Sequence, residues 1–175
     1  MDVISHGLVG NIFKEASRVK SLGDKVAVIS FAVIPDLPGS AVVCPLLGRE
    51  KVRPYWIPRN SDWIGVHADH PLWAALWEVP HSLFFLVLVV VPLVLWLRLP
   101  RIAIVSYLSH ILLDLPTHTG EWAERPFCPF DITVNGFTDA WAWPLSYWVL
   151  SWVVLLTIAC LVRFLLGRKP AAPRV

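Results

Sequence analysis

The stretch IAIVSYLSHILLDL, residues 102–115, indicates the fold class of this chain. It is apolar at most positions, which predicts a buried helix, yet it carries His110 and Asp114 four residues apart. Residues at this spacing share one helix face, with Cβ atoms roughly 6 Å apart. An aspartate at membrane depth costs about 2.5–3.5 kcal/mol on insertion scales, so the pair indicates a site for a divalent ion. A polar pair satisfied within a helix interface is the alternative.

The composition predicts an integral membrane protein. Of the 175 residues, 56% are hydrophobic and only 16% are charged, and the mean hydropathy is +0.60. Many of the ten tryptophans lie at segment edges, as in the aromatic belts of membrane interfaces. The net charge of +2 indicates no nucleic-acid partner. The three cysteines form no CxxC pair, which argues against a disulfide framework and a cysteine zinc site.

Five apolar stretches predict five helices. The last is long enough to cross a hydrocarbon core of about 30 Å unaided, whereas the others are short and must tilt, thin the bilayer or pack half-embedded. The connection Arg49–Val79 is rich in Pro, Trp and charge, and is predicted as an interfacial loop with one short helix near Trp73–Trp77. The five stretches are Val3–Phe13, Val26–Ile34, Leu83–Leu97, Ile102–Leu115 and Ala140–Val162.

Two turns organise these stretches. A basic turn near residue 21 folds the first pair into a hairpin, and the turn Arg98–Arg101 folds the second pair. The predicted fold class is therefore all-α, an integral membrane helical bundle of about five helices, made of two short hairpins and one C-terminal spanning helix. We expect a single membrane-embedded domain over residues 1–167 and a polar C-terminal tail over residues 168–175.

The hairpins bring polar residues to one end of the bundle. His6 and Asp36 arrive together in the first hairpin, and His81 meets His110 and Asp114 in the second. The long connection must then carry both hairpins to the same side, because Asp36 and His81 flank it. A His₃Asp₂ set of this kind can bind one or two divalent cations with positions left for water. His118, in the loop after Asp114, is a sixth candidate ligand.

For most of the remaining titratable residues, a structural or solvated role is the alternative to a role in the site. His67 and His70 are predicted at the surface of the aromatic loop. Glu78 is a candidate catalytic base together with Asp36, although a solvated loop acid is the common role of such a residue. The same solvated role is expected for Glu121, Asp131 and Asp139. Arginines that could bind a phosphate by bidentate hydrogen bonds are Arg53, Arg59 and Arg125.

Several short motifs resemble one bacterial family. They are Met-Asp-Val-Ile-Ser-His6, Pro35-Asp36, His81-Ser82, the run from Ser109 through His110 and Asp114 to His118, and Pro126-Phe127-Cys128-Pro129-Phe130. Their order resembles that of the membrane-bound metal-dependent hydrolases, also described as LexA-binding, inner-membrane-associated hydrolases, over roughly residues 1–165. That family is distantly similar in ligand pattern to the zinc-dependent phospholipase C and P1-nuclease group. The resemblance implies phosphoester hydrolysis and ligand roles for His6, Asp36, His81, His110 and Asp114.

The expected function is metal-dependent hydrolysis of a phosphoester, with lipid phosphoesters included. The expected cofactor is a divalent metal, zinc first and manganese second, and the expected partners are membrane lipid and the small-molecule or lipid substrate. Because the family is also described as LexA-binding, the resemblance is compatible with a protein partner as well. The alternatives are a non-catalytic membrane scaffold or adaptor, and a haem-binding or transport protein.

The basic residues predict the orientation in an inner membrane that the chain crosses several times. Ten of the fifteen lie at the turn end of the predicted bundle, so the positive-inside rule places the turns and the C-terminus in the cytoplasm and the metal site on the outer face. These ten are Lys14, Arg18, Lys20, Lys25, Arg98, Arg101, Arg163, Arg168, Lys169 and Arg174.

Overall fold

A computed structural model describes residues 2–167, which form helices and connecting loops with one isolated antiparallel bridge between Glu124 and Val134. The all-helical class is confirmed for this part of the chain, and the predicted tail, residues 168–175, lies outside it. The α-helices are α1 (Val3–Ser17), α2 (Leu22–Val33), α3 (Cys44–Glu50), α4 (Val66–Asp69), α5 (Pro71–Glu78), α6 (Leu83–Phe85), α7 (Val91–Trp96), α8 (Ile102–Asp114) and α9 (Leu145–Gly167). Single 3₁₀ turns lie at Ile34–Asp36, Pro54–Trp56, Asn60–Trp63, Gly120–Trp122 and Ala140–Ala142, and π turns lie at Gly39–Val43 and Leu86–Val90.

Helices α1 and α2 form the predicted first hairpin, but both are longer than the apolar pattern indicated. The side chain of Asp2 caps α1, and that of Ser21 caps α2 by accepting from the main-chain N–H of Asp24. Helix α1 ends at Arg18, which adopts a left-handed conformation with φ 53°. The end of α1 and the start of α2 therefore extend into the polar residues of the turn. Hydrophobic periodicity does not reach these residues, so it could not predict the true helix ends.

The second predicted helix, Val26–Ile34, ends close to its predicted position, since α2 ends at Val33, but a further helical segment follows that the sequence did not predict. The chain continues through the turn at Ile34–Asp36, bends by 57°, and runs on as a helix over Gly39–Glu50. Pro35 and Pro45 each lie at the first positions of a helical segment. A proline there removes an N–H that needs no partner within the helix, so it is compatible with a helix rather than breaking one.

The connection predicted as a loop is also more helical than expected. It contains α4 and the eight residues of α5, which extend the predicted short helix at both ends. Pro71 begins α5 at a favourable first-turn position. The structure therefore has more helical segments than the five predicted.

Helices α2 and α8 lie side by side and run in the same direction. Ser106 Oγ donates to the carbonyl of Val28 over 2.7 Å, and His110 Nδ1 donates to the carbonyl of Ala32 over the same distance. Both pairs are 78 residues apart in sequence, so the offset is constant along the two helices. The buried core beside them includes Phe31, Leu86, Val90, Val94, Ala103, Tyr107 and Ile111.

Helix α9 has the length and apolar composition needed to cross a membrane. Two bent helix pairs meet the same criterion if each is one span: Leu22–Asp36 with Gly39–Glu50, and Pro71–Glu78 with Leu83–Trp96. The predicted spanning helix was expected to begin at Ala140. It begins at Leu145 instead, because Ala140–Ala142 forms a separate turn capped by Asp139.

Candidate metal centre

The polar residues predicted to converge do lie together in the structure. His6 comes from α1, Asp36 from the turn after α2, His81 from the link before α6, and His110 and Asp114 from α8. All five are buried: four are 0% exposed and Asp36 is 3% exposed. Because α2 and α8 run in parallel, Asp36 and Asp114 arrive at the same end. The interior of the bundle therefore holds a cluster of imidazoles and carboxylates.

Main-chain carbonyls hold His81 and His110 in one tautomer. The Nδ1 of His81 lies 2.6 Å from the oxygen of Trp77, and the Nδ1 of His110 lies 2.7 Å from the oxygen of Ala32. A carbonyl oxygen only accepts, so each Nδ1 carries a proton, and each ring, when neutral, presents a lone pair on Nε2. The two Nε2 atoms are 3.0 Å apart. Lone pairs at this separation repel unless a proton or cation lies between them, and a carbonyl on the far nitrogen is the usual support of a metal-ligating histidine.

Asp36 and Asp114 complete a set of four ligand atoms that lie within 4.8 Å of one another. Asp36 Oδ1 is 3.6 Å from the Nε2 atoms of both His81 and His110. Asp114 Oδ2 is 3.1 Å from the Nε2 of His110 and 3.7 Å from that of His81. Ligands placed about 2.0–2.1 Å from a tetrahedral zinc ion are separated by about 3.4 Å. The measured separations lie on both sides of that value, so this donor set fits a divalent cation.

His6 lies beside the four-atom set. Its Nε2 is 3.1 Å from Asp114 Oδ1, and its ring stacks on that of His110 with centroids 3.6 Å apart. Its Nδ1 has no hydrogen-bond partner among the described residues. In this arrangement His6 orients Asp114 and His110, and its role as a ligand stays a prediction.

A second set of possible ligands adjoins the first and consists of Asp114, His118 and Glu124. Asp114 Oδ1 lies 3.6 Å from the Nε2 of His118, whose side chain is buried. Burial lowers the pKa of His118 and so favours the neutral imidazole, which is the form that binds metals. Gly136 fixes the loop here, because a Cβ at that position would lie 2.7 Å from the carbonyl oxygen of His118.

Glu124 is a residue that the sequence analysis missed. Its side chain is 1% exposed, and neither carboxylate oxygen has a hydrogen-bond partner among the described residues. Burial raises the pKa of Glu124 to about 7, and the negative charge of Asp114 acts in the same direction. Its main chain pairs with Val134, whose N–H donates to the Glu124 carbonyl over 2.8 Å. In the sequence Glu124 lies two residues before Pro126, next to Arg125 and near Glu121, and this charged context is typical of a solvated loop acid.

Glu78 lies in a separate ion-pair network. Its Oε1 is 3.0 Å from Arg125 Nη1 and 3.1 Å from His67 Nε2. His67 also contacts Glu121, so it is partly buried between two acids rather than lying free at the surface as predicted. These contacts occupy Glu78 and Arg125 in the structure. The proposed roles of Glu78 as a base and of Arg125 as a phosphate ligand stay predictions.

The other candidates are distributed around the connection. Arg53 makes a bidentate pair with Asp62, at 2.7 and 2.8 Å, and this arginine holds the pKa of Asp62 well below its usual range. The main-chain N–H of Arg59 donates to the same carboxylate. His70 pairs with Glu50 and stacks on Trp73. The remaining loop acids are exposed as predicted: Asp131 and Asp139.

An aromatic cluster encloses one side of the site. Trp77 stacks on His81 with centroids 4.2 Å apart and meets His118 edge to face at 5.4 Å. Trp63, Trp122 and Trp141 pack against one another, and Trp122 and Trp141 also pack on Trp77, so these four rings form one aromatic cluster. A cleft of about 260 Å³ reaches Asp36 past three of these indoles: Trp63, Trp77 and Trp141.

Comparisons with protein-family models, curated proteins and solved structures gave no match to this chain.

Proposed function

We propose that this protein is a membrane-bound, metal-dependent hydrolase that acts on phosphoesters. The observation that carries the proposal is the pair of Nε2 atoms on His81 and His110, 3.0 Å apart and each backed by a carbonyl on Nδ1. With Asp36 and Asp114 they would hold one divalent cation, zinc first and manganese second. The resemblance of the short motifs to inner-membrane hydrolases supports the same assignment. A porphyrin plane does not fit between nitrogens this close, which argues against a haem held by both histidines.

The chain supplies the groups that hydrolysis needs. A bound divalent ion would polarise the phosphoryl oxygen and make water a stronger nucleophile near neutral pH. Asp36 lines the cleft, and its Oδ2 has no hydrogen-bond partner among the described residues, so this oxygen can accept a proton. His6 holds Asp114 through a contact of 3.1 Å and so keeps that carboxylate in position. The indoles of Trp63 and Trp141 line the cleft and give it apolar walls.

The surroundings of the cleft favour a lipid phosphoester as the substrate. A second, shallow groove contains Ile4, Leu145, Trp148 and Trp152, and it shares Asp2 and Val3 with the cleft. This groove lies between α1 and the membrane-compatible helix α9. An acyl chain in the groove would place its phosphoester headgroup at the cleft that leads to Asp36.

Metal analysis of detergent-purified protein tests the cation site. We expect at least one equivalent of zinc or manganese in the unsubstituted protein, and loss of most of it in His110→Ala and Asp114→Ala, since removing one of four ligands opens the coordination shell. His70→Ala is the matched control, because His70 pairs with Glu50 outside the cluster. Metal content that is unchanged in both site variants contradicts the proposal.

Hydrolysis assays test the reaction and the substrate class. A strong chelator should abolish phosphoester hydrolysis, and added Zn²⁺ or Mn²⁺ should restore it. A phospholipid in mixed micelles should be hydrolysed faster than a soluble phosphoester with the same headgroup. Activity that persists in the chelator would contradict a metal-dependent mechanism, and equal rates on both substrates would contradict the lipid assignment.

We further propose an inner-membrane location in which the bent helix pairs and α9 cross the bilayer. Lys14, Arg18, Lys25 and Arg163 line one cavity at the end of α1 that lies away from His6. Arg18 also donates to the carbonyl of Leu166, which places the end of α9 at this basic side. The positive-inside rule then assigns this side to the cytoplasm and the metal site to the outer face.

A further inference from the structure

The carboxylate of Glu124 lacks the hydrogen-bond partners that the carboxylate of its near neighbour Glu121 has. Glu121 accepts from the main-chain N–H groups of Gly65 and His67 and contacts the His67 ring. Glu124 is almost fully buried and has no such partner among the described residues. A buried carboxylate without a partner is unfavourable by several kcal/mol. A ligand bound to the Glu124 carboxylate would offset this penalty and would explain why the side chain is buried.

Asp114 connects Glu124 to the first metal site. One oxygen, Oδ2, lies 3.1 Å from the Nε2 of His110, and the other, Oδ1, lies 3.1 Å from that of His6 and 3.6 Å from that of His118. Glu124, His118 and Asp114 each offer one ligand atom within 4.8 Å of the others, and they form a second three-ligand set in which Oδ1 is the Asp114 oxygen that contacts His118. A carboxylate whose two oxygens point at two ligand sets has the geometry of a bridge between two cations.

We propose that the cluster binds two divalent cations, with Asp114 as the bridging ligand and with His118 and Glu124 as ligands of the second ion. The proposal rests on the proposed function, since the first ion would be held at the site described there. In two-metal hydrolases the ions are about 3.5–4 Å apart and stabilise both the attacking and the leaving oxygen of an in-line displacement. The second ion would therefore add a contact for the leaving group of a phosphoester.

Zinc stoichiometry tests the second site without any activity measurement. The full chain in detergent, stripped with chelator, reloaded with Zn²⁺ and desalted, should hold two equivalents. Glu124→Gln should hold one, because the amide keeps the shape of the side chain and loses the anionic ligand. Glu121→Gln is the matched control and should hold two, since Glu121 lies outside both ligand sets. His81→Ala should lose the first ion.

The outcomes separate this proposal from the proposed function. One equivalent in both the unsubstituted protein and Glu124→Gln overturns the second site and leaves the first intact. No bound zinc in the unsubstituted protein overturns both.

Manganese spectroscopy on the unsubstituted protein gives an answer even if Glu124→Gln does not fold. Two Mn²⁺ ions bridged by a carboxylate couple magnetically, so the protein saturated with Mn²⁺ should give an exchange-coupled paramagnetic resonance spectrum. Isolated six-line signals alone at saturation would overturn the proposal.

Discussion

Replacing Gly10 by alanine tests the close approach of α1 and α2, which brings His6 to the metal site. A Cβ at position 10 would lie 2.9 Å from the Cβ of Ala32 and 3.0 Å from the Cα of Ile29. Ordinary contact begins at 3.4 Å, so the helices must separate by about 0.5 Å (3.4 − 2.9). Since one of these atoms belongs to the main chain, rotating a side chain does not relieve the clash. Overpacking of this kind costs about 1–3 kcal/mol.

Gly7→Ala is the matched control on the same helix. Its Cβ would meet only the Cγ2 of Val33, at an ordinary 3.7 Å. Both substitutions gain about 0.5–1 kcal/mol from helix propensity, so the difference between the two variants isolates the clash. We expect Gly10→Ala to have a free energy of unfolding about 1–3 kcal/mol below that of Gly7→Ala, measured by denaturant titration in detergent micelles. Equal stability of the two variants would refute the packing of α1 on α2.

Three further predictions follow from particular contacts. Ser106→Ala removes the buried hydrogen bond to Val28 and should lower the free energy of unfolding by about 1 kcal/mol, while zinc content stays unchanged. Asp62→Asn breaks the bidentate pair with Arg53 and should speed proteolysis of the connection Arg49–Val79. Because the pKa of Asp62 is lowered in the folded protein, the native pair should protect the connection from proteolysis at pH values above the usual aspartate pKa. This protection should be lost as the pH falls below that value and through the lowered pKa. The control for both is Asp131→Asn, which should change neither readout. A cysteine replacing the exposed Tyr55, in a background without the native cysteines, should react with a membrane-impermeant maleimide in intact cells; labelling only after lysis would invert the proposed orientation.

The sequence predicted the helical hairpins and the convergence of the first five polar residues because both depend on local patterns. The spacing of His110 and Asp114 fixes a shared helix face, and the two turns bring His6, Asp36 and His81 to the same end. The helix Gly39–Glu50 was not predicted from the sequence, although the prolines before and within it, Pro35 and Pro45, are compatible with helical segments. They occupy first-turn positions, where the missing N–H has no effect on the helix.

Glu124 and the internal tryptophan cluster could not be predicted in the same way. Glu124 reaches the site through a loop whose path depends on long-range contacts, such as the N–H of Leu83 donating to the carbonyl of Pro126 over 2.8 Å. The burial of Trp77 depends on Trp122 and Trp141, which are distant in sequence. An indole at a segment edge fits either a membrane interface or a buried cluster, and only the tertiary fold distinguishes these two environments.

Zinc K-edge X-ray absorption on the purified protein tests the central claim most directly, because it identifies the atoms bound to the metal. The His81, His110, Asp36 and Asp114 set predicts a first shell of nitrogen and oxygen alone at about 2.0–2.2 Å, with outer-shell scattering from imidazole rings. A sulfur shell at about 2.3 Å would place the metal on cysteine, and a sample without zinc or any other divalent metal would leave the cluster without its ion. Either result would contradict the metal centre.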